Sequence, residues 1–227
     1  IWKQNKNNGK WQKWYSDTKY DSSVNCVSFL PNDISTTQLT LITGDADGNI
    51  TIYTFNMKTS KWERVNRFLA HKGGVTCISW SLPINIVKQI SNDNINPKKE
   101  LQCKFVSGGC DNEVKIWEYN LHTNKYLQSN KQTMKHNDWI RDVAWAPIPG
   151  ASTFNVIASC SEDKKVIIWK QMNNGKWSNK AISFKNKVWS LSWSELGNIL
   201  AIANGENNIQ MYKETLDGSW KDIANIE

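Results

Sequence analysis

The stretch IASCSEDKKVIIW, residues 157–169, holds the frame that organises this chain. Within it an acid, Asp163, stands six residues before an aromatic, Trp169, and the spacer KKVII alternates polar and apolar positions as a half-buried strand does. The same frame returns at Asp47–Tyr53, Asp111–Trp117 and Glu206–Tyr212, with spacers GNITI, NEVKI and NNIQM. A unit that recurs has to be read as a repeat before any local motif, because the repeat decides the architecture.

Working outward, each frame follows a strand with apolar residues at set offsets: Val24/Val27/Phe29, Val75/Ile78/Trp80, Ile140/Val143/Trp145 and Val188/Leu191/Trp193. Between the two lies a strand of smaller residues, LTLIT (39–43), KFVS (104–107), NVIAS (155–159) and ILAIA (199–203). A fourth marker, Trp62, Tyr126, Trp177 or Trp220, comes eight or nine residues after each closing aromatic. Each unit is thus four short antiparallel strands. One such sheet cannot bury both of its faces alone, so copies stack, and radial stacking of four-stranded sheets is a β-propeller. The expected fold is all-β, with units 1–16 (the end of a blade), 17–69, 70–132, 133–182 and 183–227 in a single domain of about four and a half blades. Ile1–Trp2 reads as the end of a third strand and Trp11 as a fourth-strand marker. This predicts a start inside a blade, with roughly one and a half blades lying upstream of it.

Composition narrows the function classes. Thirteen Trp fall mostly on repeat positions and are expected in inter-blade packing. The net charge of +7 comes from Lys scattered among Asn and acids, with no Arg-rich block, which reads as solvated surface with weak attraction to an acidic partner or membrane. No direct nucleic-acid binding is expected. Of the five Cys, Cys26 and Cys77 occupy the same place in successive first strands, Cys110 lies in the turn before Asp111, and Cys160 follows Ser159. These are expected as small buried residues in a reducing compartment, without zinc or disulfide spacing. The segment Pro83–Gln102 breaks the repeat and reads as a solvated, partly disordered surface insertion that tolerates shortening.

His136, Ser159 and Asp163 hold the residue types of a hydrolase triad, and His71, Ser107 and Asp111 hold them again. Repetition argues against catalysis, since an active site needs one nucleophile beside one oxyanion hole. A buried hydrogen-bond chain from His to Ser and Asp, ending on Trp117 or Trp169, explains the set as structure. The first full unit has Tyr20 at the His position while keeping Thr43 and Asp47. The last has Phe184, Ala203 and Glu206 and is expected to lack the network. No catalytic, cofactor-binding or metal-binding residue is predicted, and the chain is expected not to be an enzyme.

AHKGGV (70–75), KHNDWI (135–140) and the KIW and IIW strand endings resemble the WD-repeat superfamily. DSSVNCVSF (21–29), FVSGGCDNEVKIW (105–117), HNDWIRDVAWAP (136–147), IASCSEDKKVIIW (157–169) and the run 188–220 are similar to the propeller subunit of the COPII outer coat, the Sec-thirteen family. The resemblance covers nearly the whole chain and fails mainly in 83–102. It implies an open six-bladed WD40-type propeller whose vacant seventh place takes a blade in trans from an elongated α-solenoid partner. It also implies a scaffold role in ER-to-Golgi vesicle coats and in the nuclear-pore Y-complex. The expected locations are the cytoplasmic face of the ER and its vesicles, and the nuclear envelope. Membrane association would be indirect, and no small-molecule substrate or cofactor is implied. The residues themselves add that the last unit supplies all four of its strands, so no strand exchange closes a ring. Its alternating Leu191, Trp193, Leu200, Ile202, Ile209 and Met211 form the pool for partner contact. The other reading is a WD-repeat adaptor of another kind, a substrate receptor or chromatin-associated peptide reader that grips a peptide at the channel rim.

Overall fold

In the computed structural model, residues 1–31, 39–87, 99–120, 122–123, 125–130, 132–148, 155–205 and 208–223 are described. A short hairpin, β1 (Trp2–Gln4) with β2 (Trp11–Lys13), precedes four sheets. The first holds β3 (Val24–Phe29), β4 (Thr40–Asp45), β5 (Asn49–Asn56) and β6 (Lys61–Leu69), antiparallel and in that order. The second starts with β7 (Val75–Trp80), after which a separate two-stranded hairpin intervenes, β8 (Ile84–Val87) with β9 (Lys99–Gln102). The second sheet continues through β10 (Lys104–Gly109), β11 (Glu113–Asn120), β12 (Lys125–Gln128) and β13 (Met134–Lys135). The third is β14 (Ile140–Trp145), β15 (Val156–Ser161), β16 (Lys165–Gln171) and β17 (Trp177–Ser183). The last is β18 (Val188–Trp193), β19 (Ile199–Asn204), β20 (Ile209–Glu214) and β21 (Trp220–Asp222).

Strand period explains why the sheets stack. In β15, Ile157 packs toward the second sheet with Val106, Ile116 and Met134, while Ala158 and Cys160 pack toward the last with Val188, Leu191 and Leu200. A strand covered on both faces lacks a polar, solvent-facing side, and VIASCS is buried at every position, its two serines included. Trp117 and Trp169 are buried in these inter-sheet clusters, at 6% and 3% exposure. Close approach needs small residues at two points. A Cβ on Gly44 would meet Val75 Cγ1 at 2.5 Å, and one on Gly108 would meet Ile140 Cγ2 at 2.5 Å, each from the following blade. The fold is a WD40-type β-propeller.

Two features depart from the simple repeat. The insertion at 83–102 was expected to show no clean period, yet its ends pair as β8 and β9 in a two-stranded sheet of their own; residues 88–98 lie outside the described residues. The outer strand of the second blade is also broken. β12 pairs with Trp117–Asn120, while β13, beyond the expected boundary at 132, pairs with Glu113 and Val114. A cleft of about 820 Å³ opens beside the break, lined by Lys104, Glu118, Asn155 and Trp177 over Ile116 and Trp145.

Candidate functional site

The two predicted triad sets each form a continuous hydrogen-bonded chain. His71 Nδ1 lies 2.7 Å from Asp111 Oδ1, and its Nε2 lies 2.7 Å from Ser107 Oγ, which accepts Trp117 Nε1–H at 2.8 Å. In the next blade the distances are 3.0 Å for His136 to Asp163, 2.8 Å for His136 to Ser159 and 2.9 Å for Trp169 to Ser159. Each carboxylate also accepts a backbone N–H from the loop entering its blade, Lys72 at 3.2 Å and Asn137 at 3.0 Å. Entry loop, second strand, 2–3 turn and third strand are thereby tied at one node.

Burial pushes both imidazoles below their ordinary pKa, against the pull of the neighbouring carboxylates. Burial pushes the carboxyls of Asp111 and Asp163 up, but the hydrogen bonds they accept, from the imidazoles, from backbone N–H groups and at Asp111 from Lys115, outweigh it and hold both below the usual range. A neutral imidazole then donates from Nδ1 to the carboxylate and accepts the serine hydroxyl at Nε2, which leaves Ser Oγ to accept the indole N–H. Ser107 and Ser159 have no exposed surface, and each oxygen already carries an indole. The geometry ties a blade together and offers a substrate no approach to the nucleophile.

The first full blade builds a different node, which the sequence reading missed. Tyr20 OH bonds Thr43 Oγ1 at 2.6 Å and Tyr53 OH at 2.7 Å, and Tyr53 OH donates to Asp17 Oδ2 at 2.8 Å. Arg64 completes it at 2.8 Å from the same oxygen. Asp47, the expected acid, is exposed. The longer tyrosine moves the acid's place, and the detectable signal was tyrosine at both the His and the Trp positions. In the last blade the node is apolar: Phe184 packs edge-on against Tyr212 at 5.9 Å, and Glu206 lies outside the described residues.

The last blade has its own four strands, and its two faces differ. Leu191, Leu200 and Ile202 are buried against the third blade. Trp193 is half-buried there and donates its Nε1–H to Ala144 O at 3.1 Å. Ile209 and Met211 are 70% and 50% exposed. They pair across the strands with Ala203 and Ala201, which in turn face Ser190 and Ser192. Of the six residues in the sequence-derived pool, four thus pack inward and two face out.

Among the described residues no group of three or more His, Cys, Asp or Glu side chains is placed to hold a metal ion, and no helix is long and apolar enough to cross a membrane. The five cysteines are free thiols; Cys77 and Cys160 are buried as expected, whereas Cys26 and Cys110 are only half-buried, and burial raises the pKa of each of the five, Cys26 to about 12.

The family model described as "WD domain, G-beta repeat" matches residues 14–54, 62–118 and 128–170. "Protein transport protein sec13" of Emericella nidulans is 36% identical, the alignment taking in 96% of this chain and 68% of the relative. The protein of the same name in Aspergillus fumigatus is 35% identical, over 100% and 73%. The chain belongs to the Sec13 family. "Protein SEC13 homolog" of Drosophila melanogaster is 35% identical over 92% of this Sec13-family chain, which spans only 57% of that relative. The family-model matches stop at residue 170, short of the blade in which Phe184 and Ala203 replace the His–Ser pair.

Proposed function

We propose that this Sec13-family chain is a scaffold subunit of a protein-transport coat and not an enzyme. Its relatives carry protein transport in their names. Within that role, the finer reading is the COPII coat of ER-to-Golgi vesicles and the nuclear-pore Y-complex. In both, an elongated α-solenoid subunit lends a blade to an open six-bladed propeller. The protein then resides on the cytoplasmic face of the ER and at the nuclear envelope, and reaches membranes through the coat.

The observation that carries this reading is the outward face of the last blade. The four strands of this sheet among the described residues all come from 188–222, and Ile209 and Met211 stand exposed beside a shallow row of Ala and Ser. Contiguous apolar surface on a sheet marks an interaction site. A blade packed there forms an interface in the obligate class, above roughly 2,000 Å² in total.

Co-expression of the whole protein with a candidate solenoid subunit tests the proposal. Stoichiometric co-purification that Ile209→Asp/Met211→Asp abolishes is the expected result. A whole protein that is monodisperse and equally stable alone, with no solenoid bound, would overturn it.

A further inference from the structure

The end of the propeller that carries the entry loops and 2–3 turns holds a second feature. Arg141, on β14, places its guanidinium carbon 5.5 Å from the Trp139 ring and 5.1 Å from the Trp189 ring. The two indoles come from neighbouring blades, and each is 47% exposed. Arg141 also pairs with Glu162, whose other carboxylate oxygen takes Lys187. One buried carboxylate therefore serves two cations, and Arg141 Nε is buried without a partner among the described residues.

Charge around the two indoles is sorted by depth. Glu162 and Asp163 have side chains only 10% and 6% exposed, each held in the contacts already given. Asp138 is half-buried and accepts the Trp139 N–H, and Asp142 is turned to Ser190 Oγ and the Leu191 N–H. Lys135, Lys164, Lys185 and Lys187 are exposed around them. Around the two indoles the exposed charges among the described residues are thus cationic. None of this is needed for the blade nodes, which use His136, Ser159, Asp163 and Trp169.

We infer that Trp139, Arg141, Trp189 and Lys187 form a docking surface for a short acidic segment of a partner protein. An aromatic or proline side chain of that segment would lie on the indoles, and its flanking carboxylates would reach Lys187 and the lysines around it. Trp and Arg are the residue types that anchor protein interfaces, and a charged rim steers the partner onto them. A membrane surface fits less well, because both rings are held against the Arg141 guanidinium instead of standing clear for insertion. A nucleic acid would need a longer track of cations than these loops present. The test reads binding of a peptide and not of a solenoid subunit, so it does not depend on the transport reading.

Selection from a randomised 15-residue peptide library displayed on phage, with the whole protein immobilised, tests this. Enriched peptides should place Asp or Glu around an aromatic or proline. Their binding, read by fluorescence anisotropy of the labelled peptide, should weaken at least tenfold in Trp139→Ala/Trp189→Ala and in Lys164→Glu/Lys185→Glu, with melting temperatures unchanged. Binding should also fall as salt rises from 50 to 300 mM. Failure to enrich any acidic peptide, or enriched peptides held equally by both variants, would overturn the inference. So would preference for phosphatidylserine vesicles or for single-stranded oligonucleotide over the selected peptides. Were the double tryptophan variant to unfold, Lys164→Glu/Lys185→Glu would carry the test, since both lysines are exposed and outside the core.

Discussion

The side-chain carboxamide of Asn130 stands in for a missing strand residue beside Ile116. Its Oδ1 accepts the Ile116 backbone N–H at 3.0 Å, and its Nδ2 donates to the flanking carbonyl of Val114 at 3.3 Å. Ser129 N–H supplies the remaining bond, to Ile116 O at 2.8 Å. The outer strand of the second blade is interrupted here, and one amide side chain satisfies edge groups that would otherwise face the cleft unpaired.

Asn130→Ala should therefore cost about 1–2 kcal/mol in urea unfolding, the usual range for a removed partner of backbone groups. Asn130→Asp keeps the acceptor and loses the donor to Val114, so it should cost less. Amide exchange at Ile116 should quicken in Asn130→Ala and stay near the parent rate in Asn130→Asp, which keeps the acceptor; unchanged protection in the alanine variant would show that the patch is not what closes the edge.

Removing the centre of a blade node should be costlier. Ser159→Ala leaves His136 Nε2 and the Trp169 N–H unpaired in a dry site, and about 1–3 kcal/mol is expected. Trp169→Ala should cost about 3–5 kcal/mol, as truncation of a buried aromatic does. A stable Ser159→Ala protein that loses a measured hydrolytic activity would reverse the structural assignment.

Acid should loosen the fold through the same nodes. His71 and His136 titrate lower in the folded state than their ordinary 6.5, so the unfolded chain binds more protons and stability falls as pH drops below about 6.5. Asp111 and Asp163, held low in the fold, add a further loss below the ordinary carboxyl value of 3.8. The melting temperature should decline between pH 7.5 and 5.5. His71→Gln/His136→Gln should be less stable at pH 7.5 and show a flatter slope.

Overpacking at an inter-blade contact is a separate test of stacking. Gly108→Ala drives a methyl into Ile140 Cγ2 and Cys77 Sγ, and a loss of about 1–3 kcal/mol is expected by thermal or urea melting. Gly175→Ala meets nothing within 4 Å, though its φ of +77° makes it a strained control. Tolerance of the Gly108 change would mean that the second and third blades pack more loosely than these distances require.

The four-strand repeat was legible in the chain because strand period 2 and the acid–aromatic frame are local properties. The His–Ser–Asp–Trp nodes were legible for the same reason: His136 and Asp163 recur at offsets that the repeat itself fixes. Which face of the last blade stays open was not. Leu200 and Ile209 are equally apolar in sequence, and only the packing of the third blade buries one and exposes the other. The Asp17–Arg64–Tyr53 node was hidden because Asp17 lies 36 residues from Tyr53, and no periodic signal links them. Asn130 was hidden because a side chain replacing backbone leaves no pattern. The repeat fixes what each residue's neighbours are along a strand, while contacts between blades depend on how two twisted sheets meet, which only the tertiary structure decides.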